Sequence, residues 1–162
     1  VDADGLNLLA QAPERLARLP RPAVLTPHPG EFARLTGLET ARVLERRLEL
    51  APAFAGKHGL ILVLKGYRTL VAAPDGRVFI NPTGNPGMAT GGSGDVLSGI
   101  LASLLAQHRD PLLSAVAGVY VHGLSGDLAA AALSEKALQA GDIIRYLPKA
   151  LKILEEDVSC CD

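Results

Sequence analysis

Between Pro82 and Gly99 the sequence runs PTGNPGMATGGSGDVLSG, with glycines at 84, 87, 91, 92, 94 and 99 and a single carboxylate, Asp95, just before a helical pattern rich in alanine and leucine. Glycines let backbone N–H groups crowd around an anion, and a helix N-terminus adds unsatisfied donors and the positive end of its dipole. Phosphate binding is the chemistry this spacing suits. The same dipole favours Asp95 in the first helical turn, and beside a bound phosphate it would stand as a general base. Neither common nucleotide motif is present: no Gly-Lys-Ser/Thr occurs here, and Leu97 stands where a Gly-x-Gly-x-x-Gly series begun at Gly92 needs its third glycine. The competing reading is a tight loop whose aspartate only opens a helix.

Two other stretches place polar groups at the ends of apolar runs. TPHPGEFARLTG (26–37) overlaps the end of AVLT (23–26), which puts His28 and Glu31 at the carboxyl end of a strand, where open α/β sheets keep their ligands. Pro27 and Pro29 stiffen that loop. LKGYRT (64–69) follows LILVL (60–64) in the same way and leaves Lys65 and Thr69 at its end. Taken singly, the first is equally a proline-rich turn with Glu31 in the next helix, and the second an exposed strand terminus. His122, Ser125 and Asp127 have the side chains of a hydrolytic relay, yet they lie too close on one predicted helix to be oriented by separate elements. His122 reads instead as a helix-packing or buried polar contact.

The elements that must hold these groups follow from period and punctuation. AVLT and LILVL are continuous apolar runs bounded by Pro or Gly, as expected of strands buried on both faces. Between them Thr40 can cap a helix through which Val43, Leu44, Leu48 and Ala51 recur, with Pro52 expected to kink or end it. TLVAA and RVFIN, joined by Pro74, Asp75 and Gly76, predict an antiparallel hairpin. Helical patterns then cover roughly 94–107, 111–132 and 141–156, giving an α/β chain with its helices gathered toward the end. No internal repeat or linker divides it, so a single domain over 1–162 is the expectation. The opening VDADGLNLL reads as the last residue of a strand and the loop entering a helix, so the chain is expected to begin mid-fold. A sheet lacking neighbours would favour self-association.

Composition bounds the partners. The 162 residues include 16 basic and 17 acidic side chains, for a formal charge of −1, and neither sign is gathered into a block that would grip nucleic acid or a membrane. No apolar run reaches the roughly 18 residues of a spanning helix. The only cysteines, the adjacent Cys160 and Cys161, suit neither a disulfide framework nor a dispersed zinc site. A reducing cytoplasm and small-molecule partners fit best.

Taken together, LTPHPGEFARL, VLKGYRTLVA, the glycine segment and AVAGVYVHGLSGDLAA (115–130) resemble the ADP-dependent NAD(P)H-hydrate dehydratase family, and DADGLNLL is similar to another of its motifs. The resemblance runs over essentially the whole chain. It implies a ribokinase-like α/β fold, a central mostly parallel sheet flanked by helices, of which the N-terminal part is missing here. It implies a lyase that removes water from hydrated NADH or NADPH (NADHX, NADPHX) while ADP is cleaved to AMP and phosphate. By the same resemblance His28, Pro29, Gly30 and Glu31 are substrate-binding, and Asp95 stands beside the substrate and takes its proton. Lys65, Gly66, Tyr67, Arg68 and Thr69 form one ADP-binding stretch. Asn85, Pro86, Gly87, Met88, Ala89, Thr90, Gly91, Gly92, Ser93 and Gly94 form the other. ADP and Mg²⁺ are the implied cofactors, with no ligand cluster to mark the metal. A homo-oligomer, with a tetramer as one form, and an upstream epimerase domain are further implied. Two alternatives stand beside this: a ribokinase-like vitamin or sugar kinase using Asp95 as base, and a nucleotide-binding fragment without catalysis. HPGEFARL is the wording that favours the dehydratase.

Overall fold

The computed structural model of the chain describes residues 1–159, with side chains as far as Glu156, so Cys160 and Cys161 lie outside the described residues. The chain forms two compact units, one of residues 1–81 with 110–116 and one of residues 82–109 with those from 117 onward.

The first unit is built on a four-stranded sheet in the order β1 (Val24–Leu25), β2 (Ile61–Leu64), β3 (Leu70–Ala72), β4 (Val78–Ile80). β1 and β2 run parallel with Val24 opposite Ile61, and the two later pairings are antiparallel. Leu62, Val63, Leu70 and Val71 are all 0–1% exposed, so residues alternating across the pleat are buried on both sides, as the uninterrupted apolar runs require. The expected hairpin is β3–β4, turned at Gly76 (φ 92°) and tied by the Asp75 carboxylate, which accepts from Arg77 N at 3.1 Å and Nε at 2.8 Å. Four helices, α1 (Ala3–Gln11), α2 (Pro29–Thr36), α3 (Thr40–Glu45) and α4 (Arg47–His58), contribute Leu6, Phe32, Val43 and Phe54 to one apolar core with Leu25, Leu62 and Leu64. Phe32 and Phe54 meet edge to face at 5.2 Å.

Val1 lies beside β1. Its amino group donates to Val24 O at 2.7 Å, and Thr26 N donates to Val1 O at 3.1 Å. That is the exchange a parallel neighbour of β1 makes. The helix after Thr40 differs from expectation. It breaks at Arg46 (φ −113°, ψ 22°), not at Pro52, which lies inside α4. Pro52 has no N–H for the carbonyl of Leu48, an exposed residue within reach of water, so the lost bond is tolerated there. Arg46 instead caps α4 through its carbonyl, which accepts from Glu49 N and Leu50 N.

The second unit contains the glycine segment and three helices, α5 (Ser93–Gln107), α6 (Pro111–Leu133, whose first turns belong to the first unit) and α7 (Ala140–Ser159). These match the three helical patterns closely. Ala129, Leu138 and Ile143 form a buried cluster against Met88, Val96 and Tyr146. The absence of a span-length apolar run needs correction: folded as one helix, the 23 residues of α6 are long and apolar enough to cross a membrane by length and composition. Within this fold, however, Val119, Val121, Ser125 and Ala129 are buried among protein groups.

Small residues let α6 approach its neighbours. A Cβ on Gly118 would meet Leu101 of α5, and one on Gly123 would lie 2.8 Å from the Thr83 carbonyl carbon. Backbone cannot swing aside as a side-chain tip can. Gly123→Ala is therefore expected to destabilise the protein by about 1–3 kcal/mol, read as a lowered midpoint in urea. A midpoint at or above the parent value would mean that the Thr83 segment shifts freely.

Candidate functional site

In the first unit, the chain leaving β1 turns at Pro27 and starts α2 with His28 as its N-cap. His28 Nδ1 accepts from Gly30 N at 3.0 Å and Glu31 N at 3.4 Å, while Glu31 Oε2 accepts from His28 N at 2.7 Å. This is a reciprocal capping box, with an imidazole in the place usually taken by a hydroxyl. Since Nδ1 accepts, a neutral ring carries its proton on Nε2, which lies 3.6 Å from Glu31 Oε1. Pro29 at the first helical position fits the missing donor. Gly30 gives the ring room, because a Cβ there would stand 2.9 Å from His28 Cε1.

Lys65 arrives from the neighbouring strand, its N–H donating to Pro27 O at 2.8 Å. Its ammonium lies 2.7 Å from Asp2 Oδ1 and 3.7 Å from Glu31 Oε2, and all three side chains are less than one fifth exposed. One cation thus serves two carboxylates in a poorly solvated position, where each charge depends on its partners. Asp2 is the group that sequence reasoning missed. The pair of carboxylates in VDADG was the available signal, but contact with a lysine 63 residues away has no local signature.

A concavity of about 300 Å³ beside this cluster is lined by Pro29, Leu44, Arg47, Lys65, Gly66 and Tyr67, among others. Arg47 Nη1 donates to Tyr67 O at 2.5 Å, Thr69 Oγ1 donates to Gly66 O at 3.1 Å, and the Arg68 guanidinium stands 5.6 Å over the exposed Tyr67 ring. The hydrogen bond and charge of Arg68 draw the Tyr67 phenol below its ordinary range. Both sequence-assigned stretches of this unit, 28–31 and 65–69, therefore meet at the carboxyl ends of β1 and β2.

In the second unit, the glycine segment divides into a fixed part and an open part. Thr83 Oγ1 donates to Tyr120 O at 2.9 Å, Gly84 N donates to Asp127 Oδ2 at 2.8 Å, and Asn85 Nδ2 donates to Asp127 Oδ1 at 2.9 Å. Asn85 Oδ1 accepts from Gly87 N at 3.1 Å and caps a short 3-10 turn, Pro86–Met88. Gly87 packs against the Glu135 backbone, and Met88 joins the buried cluster. By contrast Gly91 is exposed, and a Cβ on it would meet nothing within 4 Å. Gly92 (φ 87°) then caps α5 in the left-handed region. Asp95 sits in the first turn of α5, exposed, and among the described residues no group bonds its carboxylate.

The hydrolytic relay does not exist. His122 Nε2 lies 3.0 Å from Ser93 O and 3.4 Å from Ser93 Oγ, the buried Ser125 Oγ donates to Val121 O at 2.8 Å, and Asp127 serves the glycine segment. His122 is the polar contact expected of it. Among the described residues no group of three or more His, Cys, Asp or Glu could hold a metal ion.

A parallel-antiparallel sheet with covering helices, followed by a glycine loop that opens a helix, defines a ribokinase-like α/β protein. A solved ribokinase-like superfamily protein from Enterococcus faecalis aligns over 94% of this chain and 51% of its own, at 35% identity and a TM-score of 0.76. A crystal structure of ADP/ATP-dependent NAD(P)H-hydrate dehydratase from Bacillus subtilis, co-crystallized with ATP/Mg²⁺, aligns over 83% of this chain and 50% of its own, at 39% identity and a TM-score of 0.79. A bifunctional NAD(P)H-hydrate repair enzyme Nnr from Moorella thermoacetica is 52% identical over 158 residues, covering 98% of this chain and 30% of that protein. A family model described as NAD(P)H-hydrate dehydratase matches residues 1–149, and the chain belongs to that family. It spans about half the length of the two solved structures and under a third of the Moorella protein.

Proposed function

We propose that the protein carrying this chain dehydrates hydrated NADH or NADPH at the expense of ADP, releasing AMP and phosphate, and that 1–162 is the C-terminal part of the dehydratase domain. The observation that carries this reading is the loop ending at Asp95, an unbonded carboxylate in the first turn of a helix that follows an open, glycine-flanked stretch. Such a stretch offers N–H groups to phosphate oxygens, and family membership says which nucleotide chemistry to expect.

In this reading Asn85–Gly94 take the ADP phosphates through backbone N–H groups, the Asn85 side chain being committed to Asp127 and Gly87 N. Lys65–Thr69 contribute to ADP chiefly through backbone, because the Lys65 ammonium is committed to Asp2 and Glu31. His28, Pro29, Gly30 and Glu31 hold the hydrate. Asp95 removes the proton of the ring hydroxyl as that oxygen bonds to the terminal phosphorus of ADP and the bridging P–O bond breaks, leaving AMP. The ring nitrogen lone pair expels the new phosphate, and loss of a proton from the adjacent carbon restores the ring double bond. Loop N–H groups stabilise the moving phosphoryl charge. Mg²⁺ held chiefly by the ADP phosphates and water needs no three-ligand protein cluster, and among the described residues none occurs. When bound, the ion would neutralise phosphate charge. An upstream epimerase domain is in keeping with the word bifunctional in the Moorella relative's name, and a homo-oligomer working in the cytoplasm completes the proposal.

Product analysis tests the reaction: one AMP and one phosphate must appear for each nicotinamide nucleotide restored, whereas phosphorylated substrate accumulating in place of phosphate would make the protein a kinase. The loop has its own test. A Cβ on Gly91 would meet no atom within 4 Å, so Gly91→Val is expected to weaken ADP binding about tenfold or more in calorimetry with a nearly unaltered melting midpoint. Normal ADP affinity in that variant would reduce the loop to a turn.

A further inference from the structure

We propose that Asp127 is a positioning residue for the nucleotide loop, an inference that rests on the nucleotide reading above. Its two carboxylate oxygens accept from different donors, Gly84 N at 2.8 Å and Asn85 Nδ2 at 2.9 Å. Because the Asn85 NH₂ must face that carboxylate, its carbonyl oxygen is turned toward Gly87 N, 3.1 Å away. Asp127 thereby orients the amide that caps the 86–88 turn, three residues before the exposed Gly91. The same side of α6 supplies Tyr120 O to Thr83 and the bare Cα of Gly123 beneath it. Positions 120, 123 and 127 recur at helical spacing, so one helix face shapes the entry to the loop.

An ionised carboxylate can accept from two donors at once. An amide in its place offers one acceptor and turns an NH₂ toward the other donor. Asp127→Asn keeps the volume, removes one bond and loses charge assistance on the second. A loop no longer held must be ordered by its ligand, and the apparent affinity falls by the fraction of molecules already ordered.

The test is an ADP titration of four proteins: parent, Asp127→Asn, Asn85→Ala and the double variant. Asp127→Asn is expected to weaken ADP about tenfold, with the melting midpoint within a few degrees of the parent and KM for the hydrate unchanged. Adding Asn85→Ala should cost less than a further twofold, since the two residues act as one unit. ADP affinity within twofold of the parent in Asp127→Asn overturns the inference, and so do losses that multiply fully in the double variant. A parent that binds no ADP would sink the nucleotide reading itself. Should Asp127→Asn fail to fold, Asn85→Ala leaves α6 intact and is read alone. Unchanged ADP affinity there breaks the proposed chain of bonds.

Discussion

Asp95→Asn is expected to lower kcat by roughly 10²–10⁴-fold, the range that a positioned general base supplies, while ADP affinity stays within about threefold. The side chain is exposed and has no bond among the described residues, so replacing it by its amide disturbs no packing and orphans no donor. Stability should fall by no more than about 1 kcal/mol, the usual effect of a first-turn carboxylate on the helix dipole. The binding donors lie earlier in the loop, where Gly91 and Gly92 present backbone. A parallel loss of ADP binding and rate would make Asp95 a metal-linked or structural group. An unchanged rate would remove it from the chemistry.

Lys65→Met is expected to cost about 3–5 kcal/mol of stability, the usual consequence of removing one partner from a buried charge group. The lysine lies between Asp2 at 2.7 Å and Glu31 at 3.7 Å, and its loss leaves two carboxylates repelling each other with little solvent. Glu31 also accepts from His28 N, so the damage should extend to the start of α2 and to hydrate binding. Combining Lys65→Met with Asp2→Asn should recover a large part of the stability, because one of the two facing negative charges then disappears. Urea titrations of the parent and the two variants measure this. A Lys65→Met protein of parental stability that no longer binds ADP would show instead that the ammonium holds phosphate.

Much of the scaffold was legible because its signals are local. Continuous apolar runs marked β1 and β2, Pro74–Gly76 marked the hairpin turn, and the three late helices followed from their spacing. Local signals misled at Pro52, where exposure of the lost carbonyl partner let the helix continue and the break fell at Arg46. The motif residues were also legible, but not their partners. Nothing near Asp2 announces Lys65, and nothing near Asp127 announces Gly84 and Asn85, since both pairings are made by the fold. Asp127 drew notice only as part of a relay that the helix cannot form. Span-length apolar character in α6 emerged only once His122 and Asp127 were seen as single polar positions on one continuous helix.

Absorbance at 340 nm tests the central claim most directly. Purified NADH hydrate incubated with ADP, Mg²⁺ and the protein carrying this chain should regain the absorbance of NADH, in proportion to the ADP consumed, and should not do so when ADP is withheld. Recovery without ADP, or no recovery from a protein that binds ADP and hydrate, would contradict the account.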